Sequence, residues 1–327
     1  MSERTTPPNI VRQGIAMLAG VGLAALLAAS LAPTAARAQM PPEIAAKIAA
    51  MGRVIDPENT GKLYAPLLEK EPYNFIKISR NVKYGPHERN VVDVFADDSK
   101  FTGRPVLMFV HGGAFVRGSK RPPGSDFYDN VMVFAARNGM VGVNVEYRLA
   151  PEFPWPAGAE DLGAAVRFVA EHIESYGGDP NRIYLMGHSA GAVHVATYVA
   201  HPEFHGPKGA GLAGAIFSSG IYDLTKQELN ESEIKYYGTD ATRYAERSAI
   251  AGLVKSPIPF MLSTAELDPP VFGAQFALLT ETMCKTEHGC VRGVVLPKHN
   301  HMSESYAINT PDTQLTGQIL EFFRTGK

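Results

Sequence analysis

The sequence predicts an α/β fold built on a parallel sheet with helices on both faces. Short, wholly apolar runs bounded by turns recur along the chain, and segments of helical length and periodicity separate them. Runs of that kind suit strands buried on both faces, as in parallel sheets, and their alternation with helices suits a layered α/β domain. The chain has 327 residues, 45% hydrophobic and 20% charged, which is ordinary globular composition and enough for one large core.

Taken in order, the chain opens with Arg4 and Arg12 before an uncharged apolar run over 14–32. Pro33 breaks the run, and Ala36-Arg37-Ala38 supplies a small-x-small pattern. This is the layout of a secretory signal peptide over 1–38, with cleavage expected after Ala38 and a periplasmic or secreted product. An uncleaved anchor is the rival, since the run approaches the length a bilayer core demands. Its Ala/Gly content is weakly hydrophobic and a cleavage motif follows, so no stable membrane span is expected after processing. Residues 39–73 mix short helical patterns with Pro and Gly and read as an arm, a possible part of a cap, before a main domain over 74–327.

Residues 75–78 and 91–95 alternate partly, as outer strands do, with Tyr84-Gly85-Pro86 as turn chemistry between them. Buried strands are expected at 106–110, 141–145, 183–186, 215–217, 259–262 and 294–296. Helices are expected at 131–137, 161–173, 193–200, 272–283 and 313–323. The polar, Tyr-rich stretch 227–255 lies between two core strands and reads as an insertion at the sheet's C-terminal edge. The formal net charge is −2 with no basic stripe, which argues against nucleic acid as a partner. The two cysteines, Cys284 and Cys290, form an even count in an exported chain and are read as a disulfide, with two free thiols near a helix end as the other reading.

Two motifs carry chemistry. Gly187-His188-Ser189-Ala190-Gly191 follows an expected strand and precedes a helix. A sharp strand-to-helix turn of this type lifts a serine Oγ above the sheet's C-terminal edge, in front of a helix N-terminus. His111-Gly112-Gly113-Ala114-Phe115 follows an earlier buried strand, and its glycines let backbone N–H groups turn toward an oxyanion. An acid is expected after the strand at 259–262, where Asp268 competes with Glu266. Pro269 and Pro270 fix a loop immediately after Asp268 and favour it. A base is expected after the last strand, and position alone admits either His299 or His301. No third ligand accompanies that His-x-His pair, so no metal is expected.

With these residues in view, the chain resembles the hormone-sensitive-lipase-like bacterial carboxylesterases of the α/β-hydrolase superfamily. The resemblance runs from about Tyr64 to the C-terminus. It includes His111 to Phe115, Tyr147-Arg148-Leu149-Ala150-Pro151, Trp155-Pro156-Ala157, Glu160-Asp161, Tyr176-Gly177-Gly178-Asp179-Pro180 and the serine motif. It implies an eight-stranded, mostly parallel sheet and a cofactor-free Ser-His-Asp mechanism, while the lack of a long insertion in this chain leaves only a minimal cap. By the same resemblance Ser189 is the nucleophile, Asp268 the acid and His301 the base, and the oxyanion donors are the N–H groups of Gly113, Ala114 and Ala190. The family often carries a third glycine where this chain has Ala114, which keeps the donor but narrows the space. Phe115, Trp155 and Met302 adjoin the motifs and are candidates for pocket walls, with core packing as their other reading. Tyr236-Tyr237-Gly238 could form a small lid with residues 41–70. Without room for a large cap, the expected substrates are short-chain or compact aromatic esters. A formamide such as N-formylkynurenine is the alternative, and a non-catalytic binding protein of the same fold is disfavoured because serine, acid and histidine are all present.

Overall fold

A computed structural model of the chain describes residues 39–326, so the expected leader over 1–38 lies outside the described residues. In chain order the elements are α1 (Pro42–Met51), α2 (Pro57–Tyr64), β1 (Ile76–Lys83), β2 (Val91–Asp97), β3 (Arg104–Val110), α3 (Asp129–Arg137), β4 (Val141–Val145), α4 (Ala157–His172), β5 (Gly178–His188) and α5 (Ala190–Ala200). There follow β6 (Gly214–Ser218), α6 (Glu231–Tyr237), α7 (Tyr244–Arg247), α8 (Ile250–Leu253), β7 (Phe260–Leu267), α9 (Pro270–Met283), β8 (Arg292–Asn300), α10 (Ser303–Tyr306) and α11 (Gln314–Thr325). The strands form one eight-stranded sheet in the order β1-β2-β4-β3-β5-β6-β7-β8. Pairing of β1 with β2 and of β2 with β4 is antiparallel, and every later pairing is parallel.

The strands separate two cores because successive side chains point to opposite faces. In β3, Val106, Met108 and Val110 face a cluster built with α4, α5, α8 and α9, whereas Leu107 and Phe109 face one built with α1, α3 and α11. Ile183 and Leu185 of β5 divide from Tyr184 and Met186 in the same way. Both faces are therefore covered, and a wholly buried side chain such as Phe109 contributes roughly 2–3 kcal/mol relative to exposure.

Several boundaries differ from expectation for local reasons. The first strand runs past residue 78 because a register shift between Ser79 and Val82 is held by Asp93, which accepts from Asn81 N at 2.7 Å and Arg80 at 2.9 Å. The last strand continues through Pro297 to Asn300, with Lys298 at φ 67° and its N–H donated to Glu266 at 2.7 Å. Helix α5 begins at Ala190 rather than 193, since the small residues of the serine motif already form its first turn. Within the arm over 39–73, Ile44, Ile48 and Tyr64 share one buried cluster with Phe95, Leu107 and Tyr306. The insertion contains α6, α7 and α8, with an Asn230–Glu233 capping box starting α6. Cys284 and Cys290 are joined by a disulfide between α9 and β8. Among the described residues no helix is long and apolar enough to cross a membrane.

Candidate active site

The parallel strands β3, β5, β6, β7 and β8 are neighbours, and their C-terminal ends release the chain at His111, Ser189, Ser219, Asp268 and His301. Five loops thereby meet at one edge of the sheet, where open α/β sheets bind ligands. Ser189 holds φ 57° and ψ −126°, an unfavourable backbone state for a residue with a side chain, costing about 1–3 kcal/mol. It persists because its N–H donates to Ser218 O at 2.9 Å and because helix α5 starts at once behind it. Gly191 makes that start possible: a Cβ there would lie 2.1 Å from Val110 O. Ser189 is partly exposed.

The loop after β3 reaches the same point. A Cβ on Gly112 would sit 2.9 Å from Ser189 Cβ, so only glycine allows this approach. Gly113, Ala114 and Phe115 then hold φ of 135°, 51° and 68°. Among the described residues no acceptor takes the N–H groups of Gly113, Ala114 or Ala190, and the last lies in the first turn of α5, where donors have no intrahelical partner. His111 is buried and braces the loop: its Nε2 meets Glu146 Oε1 at 2.9 Å, and its ring stacks on Tyr147 at 4.4 Å. Arg89 also pairs with Glu146.

On the other side, His301 Nδ1 donates to Asp268 Oδ1 at 2.7 Å. Oδ2 of the same carboxylate accepts from Ser219 Oγ at 2.6 Å, Thr264 Oγ1 at 2.8 Å and Ala265 N at 2.8 Å. Burial pushes the Asp268 carboxyl up, but these hydrogen bonds, led by that from His301, outweigh it and hold the group below its ordinary value. Glu266 falls on β7, which does run longer than expected, yet its side chain is turned away to Lys298 N. His301 Nε2 is buried without a hydrogen-bond partner, and its ring lies 4.4 Å from Phe272 and 4.8 Å from His188. His188 ties the two loops together, its Nε2 donating to His301 O at 2.8 Å. Ser189 Oγ and His301 Nε2 are not hydrogen-bonded to each other in this arrangement. His299 is wholly buried, held by Ser303 Oγ at 2.9 Å and Asp312 at 3.0 Å.

The pocket candidates part company. Phe115 is buried and stacked on Tyr236 at 4.6 Å, in an apolar cluster with Ala190, Val193 and Ile221 that adjoins the nucleophile's helix. Met302 packs into the core with Ile44, Ile48 and Tyr306. Trp155 is packed against the same apolar cluster as Phe115, its backbone N–H donating to Tyr236 O at 2.8 Å, with His201 and Phe204 at its ring edge and Arg247 over its face. Sequence reasoning missed Phe272, although it follows Asp268 by four residues, and Arg53, whose Nη1 donates to Asp268 O at 2.9 Å from the loop between α1 and α2. It also missed Ser219 and Glu304, which belong to no motif. Among the described residues no cluster could hold a metal ion.

The arrangement can therefore do one thing readily: hold a hydroxyl on a strained turn between unpaired N–H donors and an imidazole oriented by a carboxylate. A family model described as BD-FAE matches residues 92–206, and one described as the prolyl oligopeptidase family matches 156–325, more than half of the chain. Esterase LipQ of Mycobacterium tuberculosis is 30% identical over 266 residues, covering 74% of this chain and 61% of the relative. Para-nitrobenzyl esterase of Bacillus subtilis is 28% identical, covering 69% and 49%. The chain thus spans less than two thirds of either relative's length. Among solved structures, a bacterial heroin esterase superposes with a TM-score of 0.62 at 25% identity, covering 89% of this chain and 98% of that one. Esterase B of Lactobacillus rhamnosis, at 16% identity and TM-score 0.66 over 86% and 94%, shares the fold. The chain belongs to the α/β-hydrolase superfamily, with the prolyl oligopeptidase family model matching its second half.

Proposed function

We propose that this chain is a serine carboxylesterase acting on short-chain or compact aromatic esters, with Ser189 as nucleophile, His301 as base and Asp268 as the orienting acid. The observation that carries the reading is the Asp268–His301 hydrogen bond beside a serine held at positive φ. His301 takes the Ser189 proton as Oγ attacks the ester carbonyl, and the imidazolium is stabilised by Asp268. The tetrahedral oxyanion is met by the N–H groups of Gly113, Ala114 and Ala190, each such donor worth roughly 3 kcal/mol of barrier. His301 returns the proton to the leaving alcohol, and water repeats the sequence on the acyl-enzyme. The apolar side chains of Phe115, Ile221 and Phe272 support a compact acyl or alcohol pocket.

The test is turnover of p-nitrophenyl acetate, p-nitrophenyl octanoate and N-formylkynurenine by the wild type and Ser189→Ala. The acetate is expected to be turned over fastest, and Ser189→Ala is expected to lose about 10⁴-fold or more in kcat. Cleavage of the formamide alone would replace the esterase reading with an amide-type hydrolase. Undiminished turnover by Ser189→Ala would remove the nucleophile assignment. Export is part of the same proposal: the leader pattern over 1–38 and the Cys284–Cys290 disulfide both suit an oxidising compartment. A mature chain beginning at Gln39 on N-terminal sequencing is the expected result.

A further inference from the structure

One buried acid at this edge has no part in the chemistry just described. Glu304, on α10, is 1% exposed, and its Oε2 lies 2.7 Å from Ser219 Oγ. The same Oγ lies 2.6 Å from Asp268 Oδ2. A serine hydroxyl has a single proton, so it cannot donate to both carboxyl groups. Were both ionised, one of the two contacts would set lone pairs against a negative charge, in a buried place where nothing repays the cost. A neutral Glu304 removes the conflict: its own proton goes to Ser219 Oγ, and the Ser219 proton goes to Asp268. The surroundings agree with that state. The titratable groups facing Glu304 are Asp268 after β7, His188 at the end of β5 with Nε2 at 3.9 Å, and Tyr222 after β6. Among the described residues no Lys or Arg pairs with it, and its Oε1 is buried without a partner. Burial and the adjacent Asp268 charge both push Glu304 well above the usual carboxylate range, while Asp268 is held below its own.

Glu304 stands only three residues after His301, so the contacts close a ring. His301 is bonded to Asp268, Asp268 to Ser219, Ser219 to Glu304, and Glu304 returns through the backbone to His301. We propose that Glu304 is a positioning residue of this site: as a neutral acid it donates to Ser219, which donates to Asp268 Oδ2 and leaves Oδ1 aimed at His301. The inference rests on the Ser189–His301–Asp268 reading and adds to it a proton that does not move during turnover. Its function is to keep one carboxylate, and not two, beside the imidazole, and to lock the base loop to the acid loop.

Three variants and one spectrum test it. An infrared difference spectrum of wild type minus Glu304→Gln at pH 8 is expected to show the carbonyl stretch of a neutral carboxylic acid. Its amide still donates to Ser219, so Glu304→Gln is expected to keep kcat for p-nitrophenyl acetate within about 3-fold. Glu304→Ala and Ser219→Ala are expected to lower kcat about 10–100-fold with KM held within about 2-fold, the signature of a misaimed base. Absence of the neutral-acid band overturns the proposal, as does wild-type kcat in Glu304→Ala or a loss in Glu304→Gln equal to that in Glu304→Ala. If Glu304→Ala does not fold, Ser219→Ala and the spectrum decide. Failure of the underlying reading is distinguishable, because it appears as retained turnover in Ser189→Ala, whereas the spectrum reports the Glu304 proton without any hydrolysis.

Discussion

Two histidines two residues apart, His299 and His301, sit in arrangements built from the same three residue types. His299 lies between Ser303 Oγ at 2.9 Å and Asp312 Oδ2 at 3.0 Å, and His301 is bonded to Asp268 Oδ1 at 2.7 Å near Ser189. Both imidazoles are 1% exposed, and the Ser303–His299–Asp312 set is the more complete by hydrogen-bond geometry. Completeness is what disqualifies it. Ser303 spends its oxygen on Asn300, accepting from Asn300 N and donating to Asn300 O at 3.0 Å, and it is wholly buried. His301 keeps one nitrogen without a partner, and the serine beside it is partly exposed and held on a strained turn. A site that does chemistry needs an unsatisfied group facing an opening, whereas a structural one satisfies every group it has.

The largest effect that would break or confirm this contrast is Asp268→Asn. An asparagine of the same shape keeps the packing but offers an N–H or a weak carbonyl to His301 Nδ1, so the wrong tautomer is stabilised. The expected loss in kcat is about 10⁴-fold with the fold intact by circular dichroism. A loss of less than about 10-fold would mean that the pair serves structure, as the His299–Asp312 pair does.

The second effect reverses the readout. His299→Asn removes a partner from Ser303 and leaves Asp312, 3% exposed, without its ring nitrogen. Denaturant unfolding is expected to show a loss of about 2–3 kcal/mol, and the folded fraction is expected to keep kcat within a few-fold. Large losses of kcat with unchanged stability would exchange the roles of the two histidines.

How much of this was legible beforehand depends on how local each feature is. The serine turn is a strand, five residues and a helix, all contiguous, so its place could be read from the pattern around Ser189. The sheet was legible for the same reason, since runs such as 106–110 carry their burial in composition. Asp268 and Glu266 were separable through the prolines and the family resemblance rather than through alternation, which puts both on one face until the chain leaves β7. The two histidines were not separable from spacing at all, and the resemblance to a family decided between them. Ser219 and Glu304 gave no signal, since their meeting requires β6, β7 and β8 to end side by side. Trp155 was read from its motif with pocket wall and core packing both open, and its ring contacts to His201 and Phe204 come from chain positions some fifty residues away that no local pattern announces.

A second pair of histidines sharpens the comparison through pH. His188 and His194 flank Ser189 and are wholly buried, and each is pushed down to about 3: by burial and then the His301 charge for His188, by burial and then the His111 charge for His194. In the unfolded chain both titrate near 6.5. Between those values the unfolded state binds the extra proton, so each histidine makes folding less favourable as pH falls, and the loss stops below about 3. Glu304 acts with the opposite sign, because its raised value makes the folded state the better proton binder above the ordinary carboxylate range. The wild-type pH profile therefore mixes both signs, and only a difference between variants isolates one group. His194→Gln removes one depressed histidine while leaving Glu304 in place. It costs stability at pH 8, where Tyr236 loses its 3.3 Å contact to His194 Nδ1. Between pH 6 and 4 that deficit is expected to shrink by roughly 1.4 kcal/mol per pH unit, because the wild type alone must keep His194 neutral against a falling pH. A stability difference that stays constant from pH 8 to 4 would mean that His194 binds its proton equally well folded and unfolded, and that the packing around the serine turn does not exclude charge.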